Sequence, residues 1–238
     1  MTHRRGKRHA LLLLCLLCTL LFGGLGIWQV ERRAWKLDLI ARVNARLQAA
    51  PVAVPPRRQW AAFDAAAAEY SRVKLSGRFL HDRETLVQAL TERGPGFWVM
   101  TPLETPEGIV LVNRGFVPPD RMAPAIRAQG QAGGVRTLTG LLRPTEPKGR
   151  FLRPNRPAEN RWYSRDVAAI VKARGLAATA PFFVDAEAAP NPGGLPVGGM
   201  TVVRFRNTHL VYALTWFGLA ALSVLGLVLL LKPRQAGG

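Results

Sequence analysis

Two long apolar runs, one near each end of the chain, bracket a polar middle. From Ala10 to Val30 and again from about Leu210 to Leu231, apolar residues continue for about twenty positions, enough for a helix to cross a bilayer. Lipid offers no partner to backbone N–H and C=O groups, so both runs are expected as helices. Arg4, Arg5, Lys7 and Arg8 precede the first run, and Lys232 and Arg234 follow the second. Lysine and arginine flanks stay on the cytoplasmic side, which sets both termini inside and the middle outside. A cleaved signal peptide also starts basic and then turns apolar. Here the run is long and passes through Trp28-Gln-Val-Glu-Arg-Arg-Ala-Trp35 without an Ala-x-Ala site, so an uncleaved anchor is expected. The expected organisation is a basic tail at 1–9, a first span at 10–30, an extracytoplasmic domain at 31–208, a second span at 209–231 and a tail at 232–238.

In the middle segment the hydrophobic period changes. Residues 32–48 repeat apolar positions at helical intervals, and the prolines between 51 and 56 then break the pattern. Residues 60–69 are alanine-rich and predict a short helix. Beyond them the period is two: Val73, Leu75 and Phe79 alternate with Arg72, Lys74, Ser76 and Arg78, as in a half-buried strand. Further strands are predicted at 85–90, 97–103, 109–116, 135–142, 182–184 and 200–205, the last running directly into the second span and bringing the sheet close to the bilayer. Glu107-Gly108 reads as a hairpin turn. Residues 118–134 and 144–157 are proline-rich connections. Ser164 is a candidate N-cap for a helix over 165–174 closed by Gly175. Short strands with turn signals and few helices give an α+β domain, an antiparallel sheet or open barrel.

The 33 Lys and Arg outnumber the 15 Asp and Glu, for a formal net charge of +18. Outside a membrane no nucleic acid is met, so the surplus fits anionic headgroups, an acidic partner, carboxylates on a ligand, or a solvated face. Cys15 and Cys18 form a C-x-x-C inside the first span, where packing or lipid contact explains them better than redox or metal chemistry. The middle segment has no cysteine. It has one histidine, His81, and no G-x-S-x-G or H-E-x-x-H motif. Glu104 and Glu107 fall in turn-like, solvent-prone sequence. The activated nucleophile and oriented base of a hydrolase are missing, and no catalytic activity is expected.

His209 opens the second span, in Phe205-Arg-Asn-Thr-His-Leu-Val-Tyr-Ala-Leu-Thr-Trp-Phe217. Helical spacing sets it on a face with Phe205, Tyr212 and Trp216. Two readings stand on the residues alone. One is an interfacial histidine beside aromatic-belt residues. The other is a metal ligand among flat rings, where a ring-shaped cofactor is held by its iron.

Seven segments in order resemble the Surfeit-locus-one family of cytochrome oxidase assembly proteins. They are Leu25-Gly-Ile-Trp-Gln-Val-Glu-Arg-Arg-Ala-Trp-Lys36, Gly94-Pro-Gly-Phe-Trp-Val-Met-Thr-Pro-Leu103, Val110-Leu-Val-Asn-Arg-Gly-Phe-Val-Pro118, Gly140-Leu-Leu-Arg143, Asn160-Arg-Trp-Tyr-Ser-Arg-Asp166, Pro181-Phe-Phe-Val184 and Asn207-Thr-His-Leu-Val-Tyr-Ala-Leu-Thr-Trp216. The resemblance implies an inner-membrane protein that helps mature haem-copper oxidases, with haem a as cargo for the catalytic subunit and haem a synthase or another supplier upstream. The family's haem-associated histidine falls on His209, and its recurrent tryptophans on Trp28 and Trp216. Thr208 stands where an Asn often precedes that histidine. On this expectation His209 ligates the iron, Tyr212 and Trp216 pack beside the ring, Arg204 and Arg206 pair with the propionates, and Trp28 with Arg32 completes the pocket. The alternative is a scaffold that stabilises the oxidase subunit and binds no haem. Arg114-Gly115 and Trp162-Tyr163 match family positions without an assigned role.

Overall fold

The computed structural model describes residues 2–149 and 152–232, with side chains from Gly6 onward. The side chains of Arg4 and Arg5, and the expected tail beyond Lys232, lie outside the described residues. Three α-helices are present among them: α1 (Thr2–Gln48), α2 (Val167–Arg174) and α3 (His209–Leu231). α1 and α3 are long and apolar enough to cross a membrane. The chain divides into two compact units, one of residues up to Arg42 together with those from Arg204, the other of Val43–Val203.

The second unit is an α+β domain with seven strands: β1 (Val52–Ala53), β2 (Arg72–Phe79), β3 (Thr85–Thr91), β4 (Gly94–Thr105), β5 (Gly108–Val117), β6 (Val135–Pro144) and β7 (Thr179–Ala186). Their order is β1-β2-β6-β7-β5-β4-β3, and β4 returns onto β2 through Arg78↔Glu104 and Phe79↔Leu103. Strands β2, β6, β7, β5 and β4 therefore close into a barrel, with β1 and β3 as extensions. Pairing is antiparallel except at β1–β2 and β5–β7, which are parallel. Gly77 is where β2 passes from β6 to β4: a Cβ there would run into the Glu104 carbonyl oxygen.

The period of two explains the core. Val110 and Val112 of β5 and Phe182 and Val184 of β7 face the barrel interior with Val73, Leu75, Leu103 and Leu142. Their neighbours Leu111 and Phe183 point the other way, onto Trp162, Val167 and Ile170, where α2 covers the sheet. Phe182 and Phe183 are adjacent and both 0% exposed, so β7 is covered on both faces. Between these layers lies Asp185, 2% exposed, which accepts from Asn113 Nδ2 at 2.8 Å, Arg165 Nη1 at 2.9 Å and Arg143 Nη1 at 3.1 Å. Arg165 also pairs with Glu146, and Arg143 with Glu69 at 3.2 Å. Burial works against the charge on Glu146, but the hydrogen bonds and charge of Arg165 outweigh it and hold that carboxyl below the usual range. Burial likewise opposes the charge on Arg165, and Asp185 with Glu146 prevails, raising it.

Four local expectations are corrected. Residues 60–69 form no α-helix. A 3-10 helix (Arg57–Ala62) is followed by turns, because Trp60 Nε1 donates to the Pro55 carbonyl at 2.8 Å, Phe63 packs on Phe182, and Asp64 accepts from the Ala67 N–H. Those local bonds outcompete alanine propensity. Helix α2 starts at Val167, and its N-cap is Asp166, whose carboxylate accepts from Ala169 N at 3.1 Å; Gly175 closes it at φ +61° as expected. The Ser164 hydroxyl instead donates to the Glu146 carbonyl at 2.7 Å and accepts from Gly149 N and Asn155 Nδ2. Residues 200–205 form no strand. The last pairing before α3 is the bridge Val197↔Phe116, and Val202 beyond it is 56% exposed. Phe205 consequently lies outside the helix and shares no helical face with His209.

Candidate functional site

In the first unit, α1 and α3 run antiparallel. A lipid environment supplies no hydrophobic drive between apolar helices, so close packing and polar bonds must hold such a pair together. The seam shows both. The rings of Phe22 and Trp216 stack at 5.7 Å with 20° between planes. Gly26 leaves room for the Phe217 ring, which a Cβ would overlap, and Ala213 is 2% exposed. Gly226 lies against Cys15, whose Sγ would be 3.2 Å from a Cβ there. That gives Cys15 the packing role expected of it. At the far end, Arg8 donates to the Leu230 carbonyl through Nε at 3.0 Å and Nη2 at 2.6 Å, closing the C-terminal turn of α3 with a cation. Thr19, Thr215 and Ser223 return their hydroxyls to carbonyls one turn back within their own helices.

At the opposite end sits His209, the first residue of α3. Its Nδ1 is 2.8 Å from Gln29 Oε1 of α1, and Gln29 is 8% exposed. An amide oxygen only accepts, so Nδ1 donates in this bond, and in the neutral tautomer that fits it Nε2 is the acceptor nitrogen. A metal-binding imidazole is arranged in this way, with one nitrogen fixed by a protein acceptor and the other available to the metal. Two residues before it, the Asn207 Oδ1 is buried and meets no donor. Buried acceptors are nearly always paired, so the Asn207 oxygen is an acceptor open to a donor from outside the described residues. No cluster of three or more His, Cys, Asp or Glu that could hold a metal ion occurs among the described residues.

The other expected site residues divide. Positions 209, 213 and 216 share the face turned to α1, so Trp216 lies on the same side as His209 but is stacked on Phe22. Tyr212 lies off that face and is 53% exposed, as is Trp28, the neighbour of Gln29. Arg204 and Arg206 are exposed in the segment leading to α3. Arg32 is held over the Trp35 ring at 4.0 Å, and Lys36 lies 5.1 Å from the Phe205 ring. Gln29 was not among the residues picked from the sequence, although its signal was there: a lone amide at the end of an apolar span needs a partner.

The sequence model of the SURF1 family matches residues 16–221, from within α1 to within α3, and so includes both Gln29 and His209. The chain belongs to the SURF1 family. It is 38% identical over 215 residues to Surfeit locus protein 1 of Rattus norvegicus, an alignment covering 83% of this chain and 68% of the relative. The human Surfeit locus protein 1 is 38% identical over 216 residues, covering 83% and 70%. A SURF1-like protein of Monosiga brevicollis is 37% identical over 229 residues, covering 90% and 84%. The SURF1 match takes in the whole barrel as well as most of both long helices.

Proposed function

We propose that this SURF1-family chain is an assembly factor for haem-copper cytochrome c oxidase that carries haem a on His209 and helps its insertion into the catalytic subunit. The observation that carries the reading is the Gln29–His209 pair, which orients the imidazole and leaves Nε2 as a donor at the end of a membrane-length helix. When bound, haem a supplies an iron seeking an axial nitrogen, an isoprenoid tail that partitions into lipid and two propionates that favour cations. His209 would hold the iron. The exposed rings of Tyr212 and Trp28 offer flat contacts not consumed by helix packing, with Trp216 supporting from the seam. Arg204 and Arg206 supply the cations.

The role is one of binding and handover rather than catalysis. Haem a synthase or another haem supplier stands upstream, and the oxidase subunit downstream. The setting is a bacterial inner membrane, with both termini cytoplasmic and the barrel periplasmic, as the basic flanks of the two spans require.

One observation favours a second reading. Trp216 is already stacked on Phe22, as in a helix pair built to present a finished surface to a protein partner. On that reading the chain is a scaffold that binds no haem. Absorption spectra of protein purified from cells making haem a separate the two. The carrier reading expects a haem a spectrum in the wild type and its loss in His209→Ala at equal expression. A colourless wild type, or a His209→Ala variant with unchanged haem content, would establish the scaffold.

A further inference from the structure

Arg114 of β5 takes no part in the site at His209. It is 7% exposed. Its Nη2 donates to the Gly130 carbonyl, Nη1 lies 3.4 Å from His81 Nδ1, and the guanidinium sits 4.9 Å from the Phe79 ring centroid. The acid that acts on it, Glu84, is already committed to Arg127 in a pair whose side chains are 5% and 1% exposed. Two buried guanidinium groups therefore share one buried carboxylate. His81 does not restore the balance. Burial and the charge of Arg114 push its pKa down, so the ring is neutral at pH 7. Burial also pushes Arg114 down to about 10, which still leaves it charged. A buried cation whose acid is shared with a second guanidinium is costly, and a site that meets an anion is one place where proteins keep such groups.

Arg114 lines a cavity of about 230 Å³ whose other walls include Phe79, Ala132, Leu138, Ala186 and Pro192. At ~30 Å³ per water this is the room of roughly eight waters, enough for a ring or a short chain. The acid on the wall, Glu187, is held by Arg72 through two bonds of 2.7 and 3.0 Å and does not neutralise Arg114. The cavity thus combines apolar walls with two guanidinium groups, the buried Arg114 and the exposed Arg136.

We propose that this cavity binds a small carboxylate with an apolar body, its carboxylate against Arg114 and its body against Phe79 and Leu138. A guanidinium fork matches a carboxylate in shape as well as charge. The cations favour an anion, and the apolar walls disfavour a fully hydrated one. The inference is independent of haem, because it concerns a different unit of the chain and requires no metal.

Full-length protein in non-ionic detergent is titrated calorimetrically with benzoate, with its neutral counterpart benzamide and with inorganic phosphate. Benzoate is expected to bind at least about tenfold more tightly than benzamide, the scale of a hydrogen bond to a charged group, and more tightly than phosphate. Arg114→Gln is expected to bring benzoate down to the level of benzamide. Because that change also removes the bond to Gly130, Ala189→Phe serves as a second variant. It fills the cavity from an exposed wall position and is expected to abolish benzoate binding at an unchanged melting temperature. Equal affinity for benzoate and benzamide, no binding of either, a preference for phosphate, or benzoate binding that survives Ala189→Phe would each overturn the proposal.

Discussion

The helix pair and the barrel use polar groups in opposite ways. Within the barrel, charges are buried in a connected set: Asp185 receives Arg143, Arg165 and Asn113, and Glu146 and Glu69 complete the arginines. Apolar layers above and below already supply a driving force there, so the ions fix which side chains meet. Between the two long helices, Gln29 meets His209 side chain to side chain at one end, and Arg8 reaches the Leu230 carbonyl at the other. The rest of the seam described above is apolar: Phe22 stacked on Trp216, Gly26 under the Phe217 ring, Gly226 against Cys15, and Ala213 buried. The contrast indicates where function can sit. An interhelical hydrogen bond contributes only about 0.6 kcal/mol on average, so helix association does not exhaust what the pair at one end of the seam can do.

The largest effect expected from this comparison is in the barrel. Asp185→Ala leaves two buried guanidinium groups without their shared acceptor and is expected to cost about 3–5 kcal/mol, read as a fall in the thermal midpoint of the Val43–Val203 unit. A loss below about 1 kcal/mol would mean the network behaves like a surface ion pair, and the contrast would fail.

Acid should act on the barrel in two stages. His81 has a folded pKa below its ordinary value of about 6.5, so protons bind the unfolded chain first and stability begins to fall below that pH. Glu146 has a folded pKa below the usual glutamate value of about 4.3. Its contribution is complete above that value and is lost as pH falls through the lower folded one. Thermal midpoints measured from pH 8 to 3 should decline in both windows. His81→Gln should flatten the upper decline and leave the lower. An unaltered profile in that variant would remove His81 from the account.

Smaller effects follow. Asp166→Ala removes the cap of α2 and is expected to cost about 1 kcal/mol, read by urea unfolding. Gln29→Leu removes an interhelical bond worth about 0.6 kcal/mol on average. It should leave the barrel midpoint unchanged while lowering the haem retained by purified protein. If haem content stays at the wild-type level, the positioning role of Gln29 is lost.

What could be read in advance follows the same division. The alternation of Val73, Leu75 and Phe79 with polar neighbours made β2 visible, and strands were expected at 109–116 and 182–184, whose apolar runs the structure buries on both faces. The closure of the barrel was not visible, because it rests on two residue pairs between β2 and β4 and on Gly77 being small at the crossing. Residues 200–205 have the composition of a strand, but a strand exists only where an edge is free to pair, and none receives them. Ser164 and Asp166 are both good caps. The choice went to Asp166 because Ser164 is occupied by Glu146, Gly149 and Asn155. His209 stood out through its chemistry. Gln29 did not, since an uncharged amide attracts little notice and its partner lies 180 positions away.

The proposed bond between haem iron and His209 offers the most direct test. Resonance Raman spectra of the reduced, haem-loaded protein should show an iron–imidazole stretch. The account predicts that the band disappears in His209→Gly and returns when imidazole is added to the medium. A band that persists unchanged in His209→Gly would place the ligand elsewhere and contradict the account.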